Sequence, residues 1–162
     1  MTLGPVAHYL PHRPPMLLVD EIVDATDSAV VCRMTIRPDC IFVEDNRVHA
    51  SAMIEVVAQA CAIHGGLARA ADRAAAAITT RGDVVAPAGD VVAPAGDVGR
   101  GMVVACREAH FAVDDFAIGD VLTIAVTRTQ SQPPLTSFTG TVTRADVTCV
   151  TMQLSVVTEA AR

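Results

Sequence analysis

The chain has 162 residues, 51% of them apolar, no Trp and a formal net charge of −6. That length supports one domain with a real core, and the acidic balance, with no basic stripe, excludes an ordinary nucleic-acid binder. All twelve basic residues are Arg, which excludes a Schiff-base lysine and a phosphate loop built on Lys.

In chain order, "PVAHYL" reads as a short helical turn. Met16 to Val23 reads as strand one, and Ser28 to Pro38 as strand two. "DCIFVEDNR" is expected to be an irregular acidic link. From Val48 to about Ala76 helix formers dominate without Pro, which predicts a long, nearly all-round apolar helix that must be buried. Asp45 or Asn46 is expected to cap it, and Gly65–Gly66 to bend or break it. Glu55, Gln59 and His64 interrupt its most apolar part, so no membrane span is expected.

"GDVVAPAGDVVAPAGD", 82–97, repeats a seven-residue unit. The unit is too short for a solenoid, and its mid-unit prolines oppose ladder pairing. It reads as a duplicated loop insertion inside a single domain spanning 1–162. Branched-residue strands follow at Met102–Val113, Asp120–Gln130, Leu135–Ala145 and Thr148–Thr158, with turns "DDFAIGD", "SQPP" and "RAD" between them. This order predicts an α+β fold, an antiparallel sheet wrapped on one helix.

Five cysteines without a Cys-x-x-Cys pair point to free thiols in a reducing cytoplasm. The N-terminus lacks a signal-peptide pattern. Asp20, Glu21 and Asp24 read as a charged strand face rather than metal ligands, so neither a metal nor another cofactor is expected.

Glu55 stands almost alone among apolar side chains. A carboxyl group held away from water is disfavoured as an anion, which makes it a candidate proton donor to a leaving hydroxyl. Gln59, one turn on, is placed to hold that carboxyl or a substrate carbonyl. His49 is the nearest candidate base. On a regular helix it would lie opposite Glu55, unless the helix starts after it or the two meet across a dimer interface. His8, His64 and His110 read as structural or surface residues.

"LPHRPPMLLVDEI" followed by "IEVVAQA" resembles the β-hydroxyacyl-ACP dehydratases of bacterial fatty-acid synthesis. "IGDVLTI", Ile118 to Ile124, is similar to a strand start of that family. The resemblance implies the hotdog fold, with active sites shared between protomers. It implies that Glu55 is the catalytic acid and that His12 and Arg13 lie beside the site, where His12 would contact substrate. The family's base, a His in Gly-His-Phe-Pro upstream of the helix, has no counterpart in "CIFVEDNRV". The Pro-Gly that offers an N–H to the thioester carbonyl is replaced by about Ala50–Ser51, so Ser51 becomes the candidate for that contact. In these departures the chain is more similar to the dehydratase-like hotdog proteins of aryl-polyene clusters.

The resemblance therefore implies a dehydratase-like protein acting on 3-hydroxyacyl thioesters of acyl carrier protein. The protein is expected to be a homo-oligomer, at least a dimer, or a hetero-oligomer with another hotdog protein. Glu55 would be the acid, and His49 or a partner's His the base. The alternatives are a non-catalytic acyl-binding or scaffold subunit, and an acyl thioesterase. Carrier proteins are acidic, so a net-negative partner needs a local basic patch. Arg69 and Arg73, one turn apart, are the candidates for carrier docking.

Overall fold

A computed structural model describes residues 3–80 and 101–158. The duplicated segment at 82–97 lies outside the described residues, as do Arg81 and Arg100. The strands are β1 (Glu21–Ala25), β2 (Ala29–Thr35), β3 (Val43–Glu44), β4 (Arg47–His49), β5 (Gly101–Phe111), β6 (Asp115–Ala117), β7 (Val121–Gln132), β8 (Leu135–Arg144) and β9 (Val147–Thr158); the helix α1 is Met53–Thr80. Six strands form one antiparallel sheet in the order β1-β2-β7-β8-β9-β5, and β3-β4-β6 form a small second sheet.

The expected wrap of sheet on helix is borne out. Along β2 the period of two points Val30, Cys32 and Met34 inward. They join Ile124 and Val126 of β7, Phe138 and Val142 of β8, and Met152 and Leu154 of β9. Met53, Val56, Val57, Ala60 and Ile63 of α1 are buried in the same core. By length and composition Ala50–Ala76 would suffice to cross a membrane; here it supplies the helical side of this core. Two glycines permit the close packing. A Cβ at Gly140 of β8 would stand 2.4 Å from Val57 Cγ1, and one at Gly66 would stand 2.9 Å from Tyr9 Cβ and O.

Gly66 also explains why the expected break in the helix is absent. α1 runs unbroken through Gly65–Gly66, and the Gly66 gap admits the N-terminal segment at Tyr9. Two other boundaries differ from expectation. Strand one begins at Glu21, because the backbone at Met16 and Leu18 is held by the Gln59 side chain and is not available to a ladder. Asp45 and Asn46 do not cap the helix. Both have positive φ and form the two-residue turn of the β3–β4 hairpin. The cap is His49, before a 3-10 turn at Ala50–Ala52. "DDFAIGD", read as a turn, contains β6, which pairs with β4 and is tied to it by Arg47–Asp115. Among the described residues no group of three or more His, Cys, Asp or Glu is placed to hold a metal. Asp20 instead pairs with Arg37, and Glu21 with Arg33 at 2.5 Å.

Candidate functional site

Gln59 is the anchor of the site. Its side chain is 1% exposed. Its Oε1 accepts the Leu18 N–H at 3.0 Å, while Nε2 donates to the Met16 carbonyl at 2.7 Å and to Glu55 Oε1 at 2.9 Å. Both polar ends of this buried amide are therefore satisfied. The amide locks the N-terminal segment to α1 and orients the Glu55 carboxyl group. Because Oε1 is an acceptor here, a proton on Glu55 resides on Oε2.

The N-terminal segment carries His12 to the same point. His12 Nε2 lies 3.5 Å from Glu55 Oε1, with the two side chains about equally exposed, 32% and 33%. The buried Nδ1 of His12 has no hydrogen-bond partner among the described residues. Arg13 turns away: its guanidinium donates to the carbonyls of Leu10 and His12 at 2.9 and 2.7 Å. Arg13 thereby folds the Leu-Pro-His-Arg turn, and His12 alone of the pair reaches the site.

Glu55 sits where two depressions meet. One, of about 290 Å³, runs along α1 past Ala58, Ala62, Gly65 and Arg69, with Gly101–Val103 of β5 as its opposite wall. The other, about 770 Å³ and more open, is bordered by Phe42, Val43, His49, Ser51 and Ile54. The expectation that apolar neighbours alone enclose Glu55 is corrected: within this chain its side chain is one-third exposed. It stands on a rim rather than in the core.

His49 and Glu55 share the larger depression. The regular-helix objection is removed because α-helical geometry starts at Met53, after His49. His49 is, however, occupied as a cap. Its Nδ1 lies 3.2 Å from the Ser51 N–H and 2.7 Å from Ser51 Oγ. A backbone N–H can only donate, so in this arrangement Nδ1 accepts and a neutral ring carries its proton on Nε2. The ring then offers the depression a donor instead of a lone pair. The Ser51 N–H is spent on the same cap.

The two arginines assigned to docking separate. Arg69 is partly buried and lines the smaller depression, whereas Arg73 is exposed on the next turn. The wall formed by β5 was not foreseen. Only its branched-residue pattern was visible in the sequence, and nothing in that pattern places it opposite Ala58–Arg69. Asp120, in the "IGDVLTI" segment, acts locally: it accepts the Ala117 N–H at 2.9 Å and the Arg144 guanidinium at 2.7 Å. Gly119, at φ +93°, makes that turn.

Residues 4–80 match the ApeP-like family, described as ApeP dehydratase. No curated protein matches. Among solved structures, the dehydratase heterocomplex ApeI:P from Xenorhabdus doucetiae superposes with a TM-score of 0.77 at 23% identity, over 98% of this chain and 93% of that one. The PaaI protein from the phenylacetic acid degradation operon of E. coli gives 0.56 at 12% identity, over 85% and 81%. A hypothetical thioesterase from Streptococcus pneumoniae, solved with coenzyme A, gives 0.56 at 12%, over 88% and 90%. At these identities the likeness establishes the hotdog fold. The matched segment 4–80 contains His12, Glu55, Gln59, Arg69 and Arg73.

Proposed function

Because residues 4–80 match the ApeP-like family and the whole chain has the hotdog fold, we propose that it is a dehydratase-like hotdog protein related to those of aryl-polyene clusters and that it acts on 3-hydroxyacyl thioesters of acyl carrier protein, in fatty-acid or polyene-type lipid synthesis. The observation that carries this reading is the Gln59-held carboxyl of Glu55 at the meeting point of two depressions. In the dehydration a base removes the C2 proton, the electron pair forms the C2–C3 double bond, and the C3 hydroxyl leaves as water. Glu55 supplies the proton to that hydroxyl from Oε2, since Oε1 accepts from Gln59. The base afterwards returns the C2 proton to the carboxylate. His12, beside Oε1, and Ser51, at the other depression, contact substrate.

The base comes from a second hotdog protein. His49 is the candidate within the chain, but the Ser51 N–H occupies its Nδ1, and Cys40–Val48 holds no imidazole. A partner also completes the enclosure that the one-third exposed Glu55 lacks. The same two observations favour a second reading, in which the chain is a scaffold subunit that completes another protein's site without taking part in the chemistry. Both readings place the protein in a reducing cytoplasm, in keeping with its five free thiols.

The test is incubation with a 3-hydroxyacyl carrier protein, alone and with the candidate hotdog partner, with the enoyl product read by mass. The expected result is dehydration by the assembly and little by the chain alone. Glu55→Gln in the assembly lowers turnover by about 10²–10⁴-fold, while His49→Ala lowers it far less. A comparable fall for His49→Ala returns the base to this chain. Full activity of Glu55→Gln in the assembly establishes the scaffold role. No dehydration in either preparation rejects the dehydratase reading.

A further inference from the structure

A serine hydroxyl that donates to an imidazole nitrogen is held in the geometry of an activated nucleophile. Ser51 Oγ lies 2.7 Å from His49 Nδ1, and both residues are exposed on the larger depression beside Glu55. Resting on the reading above only in that an acyl thioester occupies this depression, we propose that Ser51 and His49 carry a second activity: hydrolysis of acyl thioesters through an ester on Ser51 Oγ.

The backbone fixes the direction of this hydrogen bond. The Ser51 N–H reaches Nδ1 at 3.2 Å and can only donate, so Nδ1 presents its lone pair and the Ser51 hydroxyl donates to it as well. The hydroxyl contact is the shorter of the two. His49 is thus badly placed to take a proton from substrate and well placed to take one from Ser51. Its position is set twice over, as the cap of the 3-10 turn and as the residue of β4 opposite Asp115 of β6. The hydrogen bond from Arg47 holds the Asp115 carboxyl below its ordinary range. The resulting anion, across the ladder from His49, favours an imidazolium there.

Ser51 precedes Glu55 by about one helical turn, roughly 6 Å along the axis. A substrate spanning the two presents its carbonyl carbon to Ser51 when its C3 hydroxyl is at Glu55. In the first step Oγ attacks that carbon and its proton passes to Nδ1. A protonated Nδ1 no longer accepts the Ser51 N–H, which is freed to donate to the oxyanion as it forms. Collapse breaks the C–S bond, and the leaving thiolate takes the proton from Nδ1. In the second step Nδ1 takes a proton from water as the water oxygen bonds to the acyl carbon. The Oγ–C bond then breaks and the proton returns to Oγ. Thioester and water give carboxylic acid and thiol. Glu44 also borders the depression; a neutral thioester passes it, whereas the carboxylate product is repelled.

A saturated substrate isolates this activity, because a hexanoyl N-acetylcysteamine thioester has no 3-hydroxyl to eliminate. The full chain is incubated with it, alone and with the hotdog partner. The expected result is release of hexanoate, read by mass, and a hexanoyl adduct on the Ser51 peptide after acid quenching. Neutral hydroxylamine leaves an oxygen ester in place but strips thioesters from Cys40 or Cys106, the two thiols that are not buried. Ser51→Ala removes both the adduct and the hydrolysis. His49→Asn keeps an oxygen acceptor for the cap and lowers hydrolysis by about 10²–10⁴-fold. Ser51→Cys restores the adduct in a hydroxylamine-sensitive form. Hydrolysis undiminished in Ser51→Ala or His49→Asn, an adduct confined to cysteine, or neither adduct nor hexanoate in both preparations overturns the proposal. Enoyl formation from a 3-hydroxyacyl substrate is scored separately: its absence with Ser51 acylated rejects the dehydratase reading alone, and its presence with Ser51 inert rejects this one alone.

Discussion

Gln59 decides more than its neighbours suggest. One buried amide ends the pairing of the N-terminal segment, fixes that segment to α1 and aims Glu55. His64 is the second buried polar residue of the same helix, at 4% exposure. Its Nε2 meets the Asp27 carbonyl at 3.1 Å, and its ring packs edge-on against Phe138. Burial lowers the pKa of His64 below the ordinary 6.5; the Asp27 carbonyl opposes this, and Arg128 adds to it. The native state then binds fewer protons than the unfolded chain just below that ordinary value. The contribution to stability is complete above it and is lost as pH falls through the native pKa. Urea unfolding from pH 7 to 5 is expected to show a steeper loss of stability for the wild type than for His64→Gln, which keeps an amide donor for Asp27. Parallel curves would show that this imidazole does not set the acid response.

At the scale of elements, the helix and sheet are held close by an absence of atoms. Gly140 lets β8 press onto Val57, where a Cβ would come within 2.4 Å of Cγ1. Val is stiff at χ1, so its methyl groups cannot swing aside. Gly140→Ala is expected to lower stability by about 1–3 kcal/mol, the usual cost of overpacking. Val57→Ala alone leaves a cavity. The double variant should be more stable than the sum of the two single losses, because each change relieves the other. Thermal unfolding of the four proteins checks this, and strict additivity would mean that the sheet shifts away from the helix instead.

At the scale of the whole molecule, β5 is the informative edge. Among the described residues it pairs with β9 on one side only, and it exposes Met102 (67%), Val104 (50%) and Phe111 (37%). An apolar edge strand with unpaired backbone groups invites another chain. Bulges at Val103/Ala105 and Arg107/His110, with Glu108 at φ 52°, limit how far such pairing extends. Light scattering at micromolar concentration is expected to give at least two chains, either alone or with the second hotdog protein. A single-chain mass in both preparations would leave the β5 edge without the expected occupant.

The sequence by itself determined the order of the six long strands and the helix and the Glu55–Gln59 pair; it did not show β3, β4 or β6, and the helix expected to be buried all round is largely exposed from Ala68 to Ala76. That order and that pair follow from local rules: periodicity, branched-residue runs, and the four-residue spacing that puts two side chains on one helical face. It also determined that His12 belongs near the site, though only through a resemblance in "LPHRPPMLLVDEI". The tertiary structure alone decided that Met16–Leu18 is not a strand, since a residue more than forty positions away takes its hydrogen bonds. It decided that Asp45–Asn46 turns a hairpin, because β4 is drawn into a ladder with the distant β6. It separated Arg69 from Arg73 as well, which helical spacing had placed together. A helix period states which residues share a face. Which of them meets a wall depends on β5, more than thirty residues further along the chain, and on a sheet that closes only when the whole chain folds.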